Sequence, residues 1–384
     1  MTSRSSLSAE GMLIQSFRAR DCVAFLGAGF TAPVEMPLWK PLLTQLIIHL
    51  RSDAKSQDDS QVLEALDYAD FCLKEGQLPR AASAIRIADP TGLVDQQLKV
   101  IFDGRRRFTN KPANDLGKIE MQARLDALLS LPWAGIVTTN YDTLVTDHFI
   151  NTRGGGQNIC YTPSDNMGQA LKSSDRPFVI HLHGNIRSGH LILTEDDYDK
   201  VYLSSSPLER FLEALLLRYT IVFIGTQIED RFVELRRRLQ MIFKHEHNSL
   251  SPEYVLLPAT DKQRSSYLKS THGFRVLFYK STDRKHEGLV PLLKGLREKI
   301  VGDGTNLLDK VCERLLLIIK SNPTGLTFPE ILPKFWQSVA AIGPLYSDLN
   351  EREIGYRLYF LIYKGLIVLD EENNTFRPVE ITGA

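Results

Sequence analysis

The chain reads as an α/β protein: a parallel sheet carrying a large helical insert, followed by a small C-terminal α+β domain. Three observations predict this. Six short apolar runs, CVAFL, GIVTTN, FVIHLHG, TIVFIG, YVLLP and RVLFY, are spread over residues 22–279, with helical patterns between most of them. Strands alternating with helices give a parallel sheet covered on both faces. Residues 61–131, between the first two runs, keep a helical apolar period throughout. Beyond Gly302-Asp303-Gly304 the pattern changes to helices ending in a hairpin. At 384 residues the chain is long enough for two domains. The expected division is 1–302 and 303–384.

Taken in order, the polar residues 1–20 lead into a helix with Ser8 and Glu10 near its start. Residues 22–26 form a buried strand, and FLGAGFTA (25–32) reads as that strand running into a glycine turn and then a helix. LWKPLLTQLIIHL (38–50) has helical spacing, and RSDAKSQDDSQ reads as a charged, exposed linker. VLEALDYADFCLKEG, LPRAASAIRIA, GLVDQQLKVIFDG and LGKIEMQARLDALLSL place apolar residues three and four apart, with Pro79, Asp89-Pro90 and Pro112 as punctuation. Together they make an insert over about residues 40–131, a layer between two strands of one sheet. LERFLEALLLRY and DRFVELRRRLQMIFK are helices between later strands. At the end, residues 306–320, FPEILPKF and LNEREIGYRLYFLIYKGL are helices, and LIVLDEENNTFRPVEI is a hairpin turning at Glu372-Asn373-Asn374. Three helices and a hairpin form a winged-helix pattern.

Composition excludes several classes. Lys plus Arg equals Asp plus Glu at 46 each, so no global excess draws the chain to nucleic acid or an anionic membrane. The four cysteines, Cys22, Cys72, Cys160 and Cys312, contain no C-x-x-C pair. That argues against a cysteine-built zinc site or a disulfide framework and fits a reducing compartment. No run reaches the roughly 18 apolar residues of a membrane span, and MTSRSSLSAEG has no apolar signal core. A cytoplasmic protein is expected. Arg105-Arg106-Arg107 and Arg236-Arg237-Arg238 read as solvated faces.

Four strand ends carry the chemistry. Gly27-Ala28-Gly29, with Ala32 completing G-x-G-x-x-A, lets backbone amides approach a pyrophosphate and lets the following helix offer its N-terminus. The acidic residue that a dehydrogenase places about 20 residues further on is replaced by the helix TQLIIHL and the charged stretch. Thr138-Thr139-Asn140-Tyr141-Asp142 follows the second run. Asn140 offers a donor and an acceptor for a ribose or an ordered water, and Asp142 accepts from an amide or hydroxyl. Both could equally cap the helix TLVTDHF. His181-Leu182-His183-Gly184 puts two histidines on one face. His183, at the strand end, can accept a proton near pH 7. His181 is read as structural, and no third ligand completes a metal site. Gly225-Thr226-Gln227 is a second glycine turn after a buried strand. Asn140 and His183 are expected to face a solvent-filled cleft.

In this order FLGAGFT, VTTNYD, IHLHG and VFIGTQ resemble the sirtuin superfamily over roughly residues 20–285. The resemblance implies a Rossmann-type sheet that binds NAD. It implies that Gly27, Ala28, Gly29 and Phe30 cradle the pyrophosphate and line the ribose, with Thr31 also at phosphate. Asn140 would position the nicotinamide ribose or the attacking water. Asp142 would hold the carboxamide or that ribose, and His183 would be the general base. Gly225 and Thr226 would lie on the adenosine side, and Trp39 would cover the nicotinamide end. Deacylase sirtuins carry a zinc module on two cysteine pairs, a proline-aspartate-phenylalanine-arginine stretch and T-Q-N-I-D. This chain has no such cysteine pairs, and reads Met36-Pro37-Leu38-Trp39-Lys40 and T-T-N-Y-D.

These departures are similar to the sirtuin-like proteins of bacterial anti-phage defence, whose domain hydrolyses NAD. Several act with a partner such as a HerA-type ATPase, an Argonaute or a second effector. The implied function is an NAD glycohydrolase needing no zinc and regulated by homo-oligomerisation or by a partner such as a HerA-type ATPase. The alternatives are a protein deacylase or ADP-ribosyl transferase, and an NAD-sensing winged-helix DNA binder. Residues 305–384 hold eight Lys or Arg against ten Asp or Glu. DNA binding needs a positive excess, so protein contacts are expected of this domain. The stripe Tyr356, Tyr359, Phe360 and Tyr363 reads as core or interface.

Overall fold

The short apolar runs become neighbouring strands. The structure is a computed structural model that describes residues 8–226 and 253–379 apart from 58, 104–107, 109, 154–159, 164, 166, 169, 171–176, 190, 203–206, 283–285, 303–304, 341–350, 364–365 and 371. Strands β1 (Cys22–Leu26), β2 (Gly135–Thr138), β3 (Cys160–Tyr161), β4 (Phe178–His181), β5 (Thr220–Ile224), β6 (Tyr254–Pro258) and β7 (Arg275–Tyr279) form one sheet in the order β3-β4-β2-β1-β5-β6-β7. All six neighbouring pairs are parallel. β1, β2, β4 and β5 are buried at every position, because helices cover both faces of such a sheet. Phe25, Phe223 and Phe274 form an aromatic ladder through the core, with centroids 5.0 and 5.6 Å apart. Each buried phenyl stabilises the fold by about 1.5–3 kcal/mol.

The insert enters between β1 and β2, which pair directly. Its helices are Trp39–Gln57, Ser60–Lys74, Leu78–Ile87, Leu93–Ile101 and Leu116–Leu129. Two sequence expectations need correction. RSDAKSQDDSQ is not a linker: Trp39–Gln57 continues through its first half, where Arg51 bonds Asp67 and Asp70 at 2.8 Å each. The next helix starts at Ser60, capped by Asp59. Arg51 thereby ties the two helices together. Nor does a helix follow the glycine turn directly. Ala28–Phe30 and Ala32–Val34 are short 3-10 turns, Glu35 is left-handed at φ 62°, and Pro37 delays the α-helix to Trp39. The edge strand β3 was not expected, being two half-buried residues long.

The chain divides into two compact units, Met1–Arg297 and Glu298–Ala384. The second contains helices Thr305–Lys320, Phe328–Ala340 and Glu351–Tyr363. It also has an antiparallel sheet of β8 (Leu326–Thr327), β9 (Ile367–Asp370) and β10 (Thr375–Pro378) in the order β8-β10-β9. Its core joins Val311, Leu315, Phe335, Ile354, Leu358 and Phe376. Asp370 shapes the hairpin by accepting from the Glu372 and Asn373 amides, and Asn374 supplies a positive φ of 51°. The side chains of Tyr356, Tyr359, Phe360 and Tyr363, both arginine triplets, Gln227 and the segment DRFVELRRRLQMIFK lie outside the described residues.

Candidate functional site

From β1 the chain moves outward to β2, β3 and β4, then returns to β5 on the other side of β1. The β1/β5 seam is therefore the switch point of the sheet, where α/β proteins open a crevice beyond the strand ends. Leu26 is in register with Thr138 and Ile224, and Thr138 with His181. The four motifs thus leave four adjacent strands at one level. The two glycine turns are laced together: the Gly27 amide donates to Ile224 O at 3.1 Å and the Gly29 amide to Gly225 O at 2.9 Å. A Cβ on Gly27 or Gly29 would lie 2.6 or 2.8 Å from Gly225 O. These glycines allow backbone to meet backbone, and the amides of Gly27, Gly29 and Phe30 all donate within the turns. Arg264 donates to Thr226 O at 3.0 Å and fixes the second turn.

Asn140 and Asp142 follow β2. The Asn140 amide nitrogen Nδ2 donates to Thr31 Oγ1 at 3.3 Å, and Asp142 Oδ1 accepts the Leu144 amide at 3.1 Å. Asp142 thus caps the helix Leu144–Arg153, the structural role open to it from sequence. Its other oxygen, Oδ2, and Asn140 Oδ1 are buried with no hydrogen-bond partner. Burial pushes the Asp142 carboxyl up to about 6, with the Leu144 amide and the Thr31 hydroxyl pulling back. Thr31 is 1% exposed, so it joins the glycine turn to the β2 motif from inside.

The two histidines divide their roles. His181 Nδ1 lies 3.0 Å from Asn140 O and Nε2 lies 2.7 Å from Thr146 Oγ1. A carbonyl can only accept, so Nδ1 carries the proton and Nε2 accepts from the hydroxyl. Burial lowers the pKa of His181 to about 4, which keeps this neutral tautomer. His181 therefore holds the backbone of Asn140. The His183 ring meets Tyr198 edge-on at 5.2 Å, and Tyr198 stacks on Trp39 at 5.7 Å. Trp39 Nε1 is likewise buried without a hydrogen-bond partner. Asn140 and His183 are 8% and 6% exposed. The expected solvent-facing placement is corrected: both are shielded by Thr31 and by the Trp39–Tyr198 wall respectively. Tyr198 carried no sequence signal, because EDDYDKVY reads as an acidic solvated helix. Among the described residues, no group of three or more His, Cys, Asp or Glu could hold a metal ion.

These shifts have a consequence for stability. Between about pH 4 and pH 6 the unfolded chain carries protons on both histidines, whereas the folded chain keeps His181 and His183 neutral and Asp142 protonated. The raised carboxyl alone makes stability fall as pH rises. The two depressed imidazoles make it fall as pH drops, and they outnumber it. The unfolded state therefore binds more protons, and the lowered carboxyls of Asp115, Glu287, Glu330 and Asp370 act in the same direction, so stability is expected to decrease as pH falls from 6 to 4. Urea unfolding across that range measures it. His183→Gln should flatten the slope, and a wild-type slope of zero or opposite sign contradicts burial as the cause.

The parallel sheet and the turns beyond its strand ends define a Rossmann-type α/β domain. Residues 134–277 match the family model of the SIR2-like domain, a span that contains Asn140, Asp142, His183 and Gly225. NAD(+) hydrolase ThsA of Acinetobacter baumannii is 23% identical over 220 residues, 57% of this chain and 39% of the relative. NAD(+) hydrolase ThsA of Bacillus cereus is 21% identical over 317 residues, 82% of this chain and 58% of the relative. Defense-associated sirtuin 2 of Bacillus subtilis is 23% identical over 225 residues, 57% of this chain and 19% of the relative. These relatives support the resemblance to the sirtuin-like proteins of anti-phage defence. The chain spans less than two thirds of the length of each of them.

Proposed function

We propose that this chain is an NAD glycohydrolase of a defence system, cleaving NAD to nicotinamide and ADP-ribose. One observation carries this: Asn140 Oδ1, Asp142 Oδ2 and Trp39 Nε1 are buried and unpartnered. An unpaired buried polar atom costs about 1–3 kcal/mol, so such atoms on residues that follow the strand ends support a ligand there. Two acceptors and a donor suit a carboxamide and ribose hydroxyls. The leaving nicotinamide is already a pyridinium and needs no strong acid. What remains is to orient the ribose, stabilise the oxocarbenium-like centre and deliver water. Asp142, mostly ionised at pH 7, faces the developing positive charge. Asn140, held by Thr31 and His181, positions the ribose or the water. His183, which burial keeps neutral down to about pH 4, is a weak base that accepts a hydrogen bond from the attacking water and takes its proton only as the bond to the ribose forms. Gly27, Ala28, Gly29, Phe30 and Thr31 line the pyrophosphate side, although the Gly27, Gly29 and Phe30 amides are already engaged within the turns, and Gly225 and Thr226 line the adenosine side. The similarity to two NAD(+) hydrolases supports the choice of substrate.

The test is mass spectrometry of nicotinamide and ADP-ribose after incubation of the full chain with NAD. Release without any acyl peptide is the expected result. Release only with an acylated peptide would move the protein to the deacylases, and NAD binding without release would make it a sensor.

The proposed division is a hydrolase domain, 1–302, and a winged-helix-like domain, 303–384, in a cytoplasmic homo-oligomer that a partner such as a HerA-type ATPase tunes. The acidic balance of residues 305–384 and the exposed Leu317, Leu366 and Val368 favour protein over DNA as the contact. Removing residues 305–384 is expected to reduce the oligomer size seen by light scattering. An unchanged size in a folded truncation removes the assembly role, and salt-sensitive binding of duplex DNA by the full chain would revive the DNA-binding alternative.

A further inference from the structure

Among the described residues, Arg124 is the largest fully buried side chain, at 1% exposure. It sits in the insert helix Leu116–Leu129, 94 positions along the chain from the Phe30 carbonyl it meets. Its Nη1 donates to Gly29 O at 3.3 Å and to Phe30 O at 3.1 Å, and its Nε to Glu120 Oε1 at 2.9 Å. A buried guanidinium is costly unless paired and hydrogen-bonded, and here the partners include two successive carbonyls of the glycine turn. The same helix grips that loop elsewhere. A Cβ on Gly117 would lie 2.1 Å from Pro33 O, and Lys111, just before the helix, pairs with Glu35 at 3.4 Å.

We propose that Arg124 is a positioning residue that sets the glycine turn for the site. In a trans peptide the carbonyl and the following N–H point in opposite directions. With the Phe30 carbonyl drawn to Arg124, the Thr31 N–H points away from the insert. The Thr31 hydroxyl then meets Asn140 Nδ2 at 3.3 Å. Its charge is offset by the Glu120 carboxylate at 2.9 Å, so what it lends the turn is the pair of hydrogen bonds to the Gly29 and Phe30 carbonyls. The ligand class is a pyrophosphate diester. That part of the inference rests on the proposed NAD reading; the hold on the loop does not.

The experiment compares wild type, Arg124→Met and Arg124→Lys by two measurements. Hydrogen exchange of the free protein reports on the loop. Arg124→Met should speed exchange in residues 27–35 and leave β5, β6 and β7 unchanged, and Arg124→Lys, which keeps the charge, should recover part of the protection. Titration calorimetry with ADP-ribose should show affinity about tenfold weaker in Arg124→Met and less so in Arg124→Lys, with KM for NAD rising more than kcat falls. Unchanged loop exchange in a folded Arg124→Met overturns the proposal. Faster exchange across all strands also overturns it, because the role is then global stability. Loop protection lost with ADP-ribose affinity intact overturns the link to the ligand. If wild type neither binds ADP-ribose nor cleaves NAD, the proposed function falls, and the exchange measurement still decides whether Arg124 holds the turn.

Discussion

Replacing Asn140 by alanine is expected to slow NAD cleavage by about a hundredfold or more, the scale of losing a positioning contact at a charged transition state. The amide is the meeting point of three constraints: Thr31 Oγ1 on its Nδ2, His181 on its backbone carbonyl and the Thr138 hydroxyl on its backbone N–H. Alanine keeps the two backbone bonds and deletes only the side chain, whose Oδ1 has no partner in the protein. The stability cost should therefore be small, about 1 kcal/mol for the Thr31 bond. His183→Ala is expected to lose about a hundredfold as well, as for a general base. It also opens a gap against Tyr198, so it should lower the melting temperature more than Asn140→Ala does. Steady-state nicotinamide release and thermal unfolding on the same preparations separate the two effects. Near-normal turnover by a folded Asn140→Ala protein would falsify its role at the ribose.

The strands were legible because a buried parallel strand has to be a short unbroken apolar run, as CVAFL and TIVFI are. The placement of Asn140, His183 and Gly225 beyond the ends of β2, β4 and β5 followed from the same feature. β3 was not legible, since two residues make no period. The two 3-10 turns after Gly27 were not legible either, because their shape is imposed by partners remote in the chain: Gly225 laced to Gly29, Arg124 on Phe30 and Gly117 under Pro33. Local pattern suggested a helix there. Long-range contact also explains Tyr198, which stacks on a tryptophan 159 positions earlier in the chain. The polar atoms left unpartnered at Asn140, Asp142 and Trp39 belong to the same class: a sequence shows which groups can bond, and only the packed structure shows which of them are left over.

That dependence on packing makes Gly225→Ala the most severe single change expected outside the reacting groups. Gly225 has φ +66°, and its ideal Cβ would lie 2.4 Å from the Phe30 backbone nitrogen and 2.8 Å from Gly29 C. The left-handed conformation costs a side chain about 1–2 kcal/mol, and forcing a methyl into packed backbone adds about 1–3 kcal/mol. Together they approach half the net stability of an ordinary domain, about 5–15 kcal/mol. Gly273 is the matched control. It ends the helix Lys262–His272 at φ +67°, with nothing within 4 Å of its Cβ position. Gly273→Ala should show the conformational cost alone. Urea unfolding of the two variants isolates the steric part as their difference, and NAD cleavage at low temperature shows whether the displaced turn still works. Gly225→Ala is expected to be the less stable by about 1–3 kcal/mol and to be inactive even where it is folded. The turn can relieve the clash only by moving Phe30, and Phe30 carries Thr31 away from Asn140. Equal stability of the two variants, or full activity in Gly225→Ala, would mean that the turns have slack at the β1/β5 seam and that their lacing does not set the site.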